Sequence, residues 1–141
     1  QDYRRGAHTV WDCKCHIVWT TKYRYKVLGG EVGERCRELI REVCRQQKIK
    51  IYAGSMNRDH VHLLLSIPPN LSVSRAVQLM KGRSSHKLLC EFTGLRKRYW
   101  GQHLWAKGYW CVTSGNVTDD MWKEYIKNQK PPEPDDEFTV T

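Results

Sequence analysis

His60 and His62 stand one residue apart in the run HVHLLLSI, and on an extended strand that spacing puts both imidazoles on one side while Val61, Leu63, Leu65 and Ile67 take the other. Two neutral imidazoles on one face can share a divalent metal, or they can be ring nitrogens satisfied by hydrogen bonds within the fold. A metal centre needs a further ligand. Tyr125 and Gln129 lie four residues apart in a helix-like stretch, so they stack on one helical face and could set a nucleophile beside a ligand. The plainer alternative is that Trp122, Tyr125 and Ile126 pack that helix on a sheet. Other catalytic sets fit poorly. KGRSS at 81–85 is not a phosphate-binding P-loop and no G-x-S-x-G occurs, while the aspartates form no evident pair on neighbouring strands for a carboxylate two-metal nuclease.

The elements that would position these residues follow from hydrophobic period. VWDCKCHIVWTT at 10–21 is rich in β-branched and aromatic residues and predicts a first strand. Val32, Cys36, Leu39, Ile40 and Val43 recur at helical spacing and predict an amphipathic helix over 31–47. Strands are expected at 49–55 and 60–67, joined by the polar turn 56–59 as an antiparallel hairpin and closed by Pro68 and Pro69. Ser72 caps a second expected helix, with Val73, Val77, Met80, Ser84 and Leu88 on one face and Gly82 suggesting close packing. The run 94–103 has no clean period and reads as a loop, 104–114 as a fourth strand interrupted at Gly108, and 119–129 as a third helix capped by Thr118. The order β-α-β-β-α-β-α is that of an α+β, ferredoxin-like split βαβ sandwich: an antiparallel four-stranded sheet, helices on one face, and a C-terminal helix. A single domain over 1–130 and an acidic, proline-rich flexible tail over 131–141 are expected.

Composition narrows the partner. The 141 residues carry 24 Lys+Arg against 15 Asp+Glu, a formal charge of +9, which favours a polyanion: nucleic acid first, an anionic membrane surface second. No run approaches the roughly 18 apolar residues of a membrane span, so a soluble, cytoplasmic protein is expected. The six cysteines include no C-x-x-C pair and read as small buried apolar residues rather than as zinc ligands or a disulfide framework. Tyr23, Tyr25, Tyr99, Trp100 and Trp105 lie among cations in a mix suited to stacking unpaired bases, or else serve as core rings. Lys22, Arg24, Lys26, Arg83, Arg96, Lys97 and Arg98 are the candidate DNA contacts.

DHVHLL (59–64), HIVWTTKYRYKVL (16–28), LMKGRSS (79–85), LWAKGYW (104–110) and YIKNQ (125–129) together resemble the single-tyrosine HUH transposases of the insertion-sequence 200/605 group, in order and over nearly the whole chain. The resemblance implies that His60 and His62 are paired metal ligands, Gln129 the third protein ligand and Tyr125 the nucleophile. It implies Mg²⁺ or Mn²⁺, no nucleotide cofactor, and cleavage and rejoining of single-stranded transposon ends through a 5′-phosphotyrosine. It also implies recognition of subterminal DNA hairpins by a homodimer whose sites are shared between subunits. CKCH at 13–16 departs from the more aromatic run of many relatives but touches no catalytic position. Two other readings stand beside this one. One is a domesticated HUH relative that processes chromosomal hairpin repeats, or a nicking enzyme. The other is a non-catalytic module for single-stranded nucleic acid, against which the lack of an aromatic RNP motif counts.

Overall fold

The computed structural model describes residues 14–113 and 138–141, with the backbone of 4–5 and 10–11. Its main sheet has five strands, β3 (Lys14–Thr20), β4 (Lys50–Met56), β5 (His60–Ser66), β6 (Trp110–Thr113) and β7 (Phe138–Val140), following a short ribbon of β1 (Arg4–Arg5) and β2 (Val10–Trp11). The spatial order is β6-β3-β5-β4-β7. Numbering β3 to β6 in chain order gives 4-1-3-2, the arrangement of a split βαβ sandwich, with α1 (Gly30–Gln47) and α2 (Val73–Glu91) as the two crossovers.

Period-two alternation sends Cys15, Ile17 and Trp19 of β3 and Val61, Leu63 and Leu65 of β5 to one face. There they meet Cys36, Leu39, Ile40 and Val43 of α1 and Val77, Met80 and Leu88 of α2 in a single buried cluster. The helices therefore cover one face, as the sequence predicts. Ser72 caps α2 by accepting a hydrogen bond from the Arg75 amide at 3.1 Å. Helix α1 ends on Lys48 in the left-handed region (φ 59°), its N–H turned back to the Arg45 and Cys44 carbonyls. The two helices are also tied through charge, Arg35 to Glu91 at 2.7 Å and Arg83 to Glu42 at 2.6 Å.

Three expectations are corrected. The sheet has a fifth strand, because the chain end expected to be a flexible tail places Phe138–Val140 parallel to β4. Phe138 is fully buried and closes over Gly54, where a Cβ would come within 2.9 Å of both Phe138 and Leu63. Arg37 and Thr141 pin the same segment, donating to the Phe138 carbonyl at 2.9 Å and the Met56 carbonyl at 2.8 Å. Residues 131–137 lie outside those described. Second, the expected loop over 94–103 contains a short helix, α3 (Thr93–Arg98), whose Leu95 reaches the core. Third, the expected strand over 104–114 pairs as a ladder only at Trp110–Thr113.

Upstream of that ladder, the chain keeps an isolated antiparallel bridge between Trp105 and Thr21 and is held to α2 as well. The Lys81 ammonium donates to the Ala106 and Gly108 carbonyls at 2.8 and 2.9 Å, the Trp105 indole N–H to Ser84 Oγ at 2.9 Å, and the Leu104 amide to Ser85 Oγ at 3.2 Å. The backbone of 104–106 thus divides its hydrogen bonds between side chains of one helix face and the chain at the end of β3, where Lys22 N–H donates to the Leu104 carbonyl at 2.8 Å and Ala106 N–H to the Thr20 carbonyl at 2.9 Å. The third predicted helix, over 119–129, lies outside the described residues. Among those residues no helix is long and apolar enough to cross a membrane.

Because Phe138 fills the space left by Gly54, Phe138→Ala should destabilise the protein by about 3 kcal/mol in urea unfolding, the usual cost of emptying a buried aromatic site. A midpoint unchanged from wild type would show that β7 does not belong to the folded core.

Candidate metal and nucleic-acid site

β5 opens at His60, immediately after the turn that joins it to β4. The backbone closes this corner with Asn57 N–H to the His60 carbonyl and Thr21 N–H to the Asp59 carbonyl, both 2.9 Å. His60 and His62 then project from the face opposite the helices, their ring centroids 4.7 Å apart. In the β3–β5 register Thr20 faces His60, Val18 faces His62 and His16 faces Leu64. His16 therefore shares the histidine face, 5.6 Å from His62, and stands edge-on to Trp110 at 5.5 Å.

One nitrogen of the first histidine is already assigned by its neighbour. His60 Nδ1 lies 2.6 Å from Asp59 Oδ1, so its N–H donates to the carboxylate and Nε2 is the ring nitrogen turned away from it. Arg24 Nε donates to the other carboxylate oxygen at 3.2 Å. Partial burial by itself raises the Asp59 carboxyl, but the hydrogen bonds from His60 and Arg24 outweigh it and hold the group below its ordinary range. Burial, followed by the neighbouring His60 and His16, lowers His62 to about 4, and burial lowers His16 to about 4. Both imidazoles are thus neutral at physiological pH, the form in which a ring nitrogen can bind a metal.

Two imidazoles on one face, one oriented by a carboxylate through its second nitrogen, suit a divalent cation. Among the described residues no group of three His, Cys, Asp or Glu side chains is placed to hold such an ion, so a complete centre here needs a ligand from beyond them. Tyr125 and Gln129, the nucleophile and third ligand implied by the sequence, lie outside the described residues. His16 and Asp59 were not singled out from sequence as parts of this site. Strict alternation from Cys15 to Trp19 puts His16 on the histidine face, and the adjacency of Asp59 to His60 was the other available signal.

The candidate DNA contacts separate by environment. Arg24 is engaged by Asp59, and Arg83 by Glu42 through two nitrogens at 2.6 and 3.1 Å. Arg98 lies 4.0 Å above the Tyr25 ring and Lys22 5.4 Å from that of Tyr23, while Lys26, Arg96 and Lys97 are exposed. The aromatic set divides likewise. Tyr99 and Trp105 are core rings, Trp105 edge-on to Trp19 at 5.8 Å, whereas Tyr23 and Trp100 are 67% and 88% exposed.

Comparison with known proteins agrees with this architecture. A family model described as transposase IS200-like matches residues 9–129. The transposase for insertion sequence element IS200 of Salmonella typhimurium is 37% identical over 128 residues, covering 91% of this chain and 84% of that protein. The ISDra2 transposase TnpA of Deinococcus radiodurans is 30% identical, covering 91% of each. Among solved structures, a transposase crystal structure from Deinococcus radiodurans superimposes with a TM-score of 0.74 at 30% identity, covering 91% of this chain and 98% of the other. A REP-associated tyrosine transposase bound to a REP hairpin superimposes at 0.64 with 18% identity, covering 91% and 72%, and shares the fold.

The buried histidines carry a pH signature. An unfolded imidazole titrates near 6.5 and folded His16 and His62 near 4, so as pH falls from 6.5 the unfolded chain takes up protons that the folded chain refuses. For the metal-free protein, stability should be intact above about 6.5 and decline steadily towards 4. Thermal melts in EDTA check this, and His16→Gln should flatten the decline; identical slopes in the two proteins would contradict the burial of a neutral His16.

Proposed function

The chain belongs to the IS200-like transposase family, and we propose that it cuts and rejoins single-stranded DNA ends, with His60, His62 and Gln129 holding a divalent metal and Tyr125 as nucleophile. The observation that carries this reading is the His60–His62 pair, on one face and braced by Asp59. Neutral imidazoles also suit a hydrogen-bonded structural pair, but the bracing carboxylate is the usual outer partner of a metal-ligating histidine.

Asp59 orients the His60 ring so that Nε2 is presented, and burial keeps His62 unprotonated, the form in which an imidazole serves as ligand. Mg²⁺ or Mn²⁺ bound there supplies Lewis-acid stabilisation for charge developing on the phosphate oxygens. The Tyr125 oxygen attacks the phosphorus, the tyrosine O–P bond forms, the bond to the 3′ oxygen breaks, and the tyrosine proton is balanced by the new 3′-hydroxyl. The resulting 5′-phosphotyrosine conserves one phosphodiester, so rejoining runs as the reverse attack and needs no nucleotide cofactor.

We infer that the DNA is presented as a hairpin, a reading supported by the hairpin-bound relative of the same fold and by the net charge of +9. Lys22, Lys26, Arg96, Lys97 and Arg98 remain the proposed cations for that DNA, with Arg24 and Arg83 contributing only where their carboxylate partners yield. The 37% identity to an insertion-sequence transposase favours mobility of a DNA element over processing of chromosomal repeats. A homodimer with shared sites completes the proposal.

Incubation of the protein with labelled single-stranded hairpin DNA from its own flanks and Mg²⁺ or Mn²⁺ should give a covalent protein–DNA band on a denaturing gel. The band should vanish with EDTA and with Tyr125→Phe; tight hairpin binding without any adduct in the wild type would instead identify a non-catalytic binding module. For shared sites, a mixture of Tyr125→Phe and His62→Ala subunits should regain cleavage that neither variant shows alone, and complete inactivity of the mixture would assign both residues of each site to one subunit.

A further inference from the structure

Tyr23 and Arg24 adopt positive φ in succession, 63° and 56°, in the left-handed region that favours glycine. The chain uses glycine for such a conformation nearby, at Gly30 with φ 54°, but not here. Two consecutive L-residues in that region cost energy that a glycine at either position would recover. The hydrogen bonds around the turn show how it is held, but not why these side chains occupy it.

The reach of Arg24 supplies a reason. Its Nε donates to Asp59 Oδ2 at 3.2 Å, while Asp59 Oδ1 accepts from His60 Nδ1 at 2.6 Å. The backbone sets up this meeting through Thr21, whose N–H donates to the Asp59 carbonyl at 2.9 Å and whose carbonyl accepts from Arg24 N–H at 3.0 Å. With a donor on each oxygen, the carboxylate cannot rotate without losing one of them. Without Arg24, the carboxylate and the imidazole it holds are free to turn together. Stability does not account for the contact, since the Arg24 side chain is 61% exposed and water screens its charge. Nor does phosphate binding, because a cation on a relaxed turn would reach DNA with no carboxylate competing for it.

We propose that Arg24 is a positioning residue of the metal centre, fixing the Asp59 carboxylate so that the His60 ring presents Nε2 in one orientation. The assignment rests on the metal-binding function proposed above. It moves Arg24 from the cations that meet DNA to the support of a metal ligand, on which it acts through Asp59 alone.

Two variants of the full-length protein test this without DNA. Arg24→Gly removes the side chain and relieves the turn; Arg24→Met keeps the length of the side chain and removes the donor. In metal-free protein at about pH 8, above the ordinary imidazole range, long-range ¹⁵N–¹H NMR should show His60 protonated at Nδ1 in wild type and as a mixture of tautomers in both variants. Mn²⁺ affinity, read from the free-ion paramagnetic resonance signal, should fall about ten-fold, the lower end of the loss when an outer partner of a metal-bound histidine is removed. Arg24→Gly should melt at or above the wild-type temperature, and a clear drop would assign the turn to folding and overturn the proposal. Unchanged His60 signals and Mn²⁺ affinity in the folded variants would overturn the role of Arg24 and leave the metal site standing. Wild-type protein that binds no Mn²⁺, or whose binding survives His60→Ala, would overturn the metal-binding function and the role of Arg24 with it.

Discussion

The antiparallel pairing of β3 with β5, unbroken from Lys14 opposite Ser66 to Thr20 opposite His60, governs both faces of the sheet. Side chains alternate along each strand, so one step of slippage would exchange the faces, exposing Val61, Leu63 and Leu65 and driving His60 and His62 into the helix-covered core. Each of those apolar side chains contributes about 1.5–3 kcal/mol through burial, far more than a histidine contact on the other face. The place of the imidazoles is therefore inherited from the core, and no strong interaction between them is required to keep it.

Register selects the face but leaves the rings free to turn, and the corner before β5 removes that freedom. Asp59 accepts from His60 Nδ1 on one side and from Arg24 on the other. An exposed ion pair such as Arg24–Asp59 contributes at most about 1 kcal/mol to stability, so the importance of this arrangement lies in orientation. The turn that delivers Arg24 is strained: Tyr23 and Arg24 both have positive φ, at about 1–2 kcal/mol each for L-residues. It persists because its surroundings overdetermine it. Thr21 Oγ1 donates to the Tyr25 carbonyl at 2.7 Å, Tyr99 OH to the Lys22 carbonyl at 3.2 Å, and the Arg98 guanidinium covers Tyr25.

What the sequence revealed tracks the range of the interaction responsible. The faces of α1, α2 and β5 and the Ser72 cap were legible because period and capping act within a few residues. β7 was hidden because three residues after an acidic, proline-rich run carry little pattern of their own; Phe138 becomes a core residue only through Gly54, which lies 84 positions earlier as Thr139 donates to its carbonyl. The segment 104–108 has strand composition and bridges Thr21 through Trp105, yet Lys81, Ser84 and Ser85 hold other backbone groups and the indole from a helix, a tertiary effect no local propensity contains. Gly82 misled for a related reason: an inner-helix glycine can signal a close neighbour, yet here it is exposed and a Cβ would meet nothing within 4 Å. At the site, the histidine pair followed from spacing, whereas the approach of His16 required the β3–β5 register.

The central proposal is that the start of β5, with His60 oriented by Asp59, holds a divalent metal. Anomalous scattering from Mn²⁺ in crystals of the protein with a DNA hairpin tests it most directly. The account predicts a peak within coordination distance of a ring nitrogen of both His60 and His62, with the nitrogen used by His60 being Nε2. A fully occupied Mn²⁺ site elsewhere, with both imidazoles making only hydrogen bonds within the protein, would contradict it.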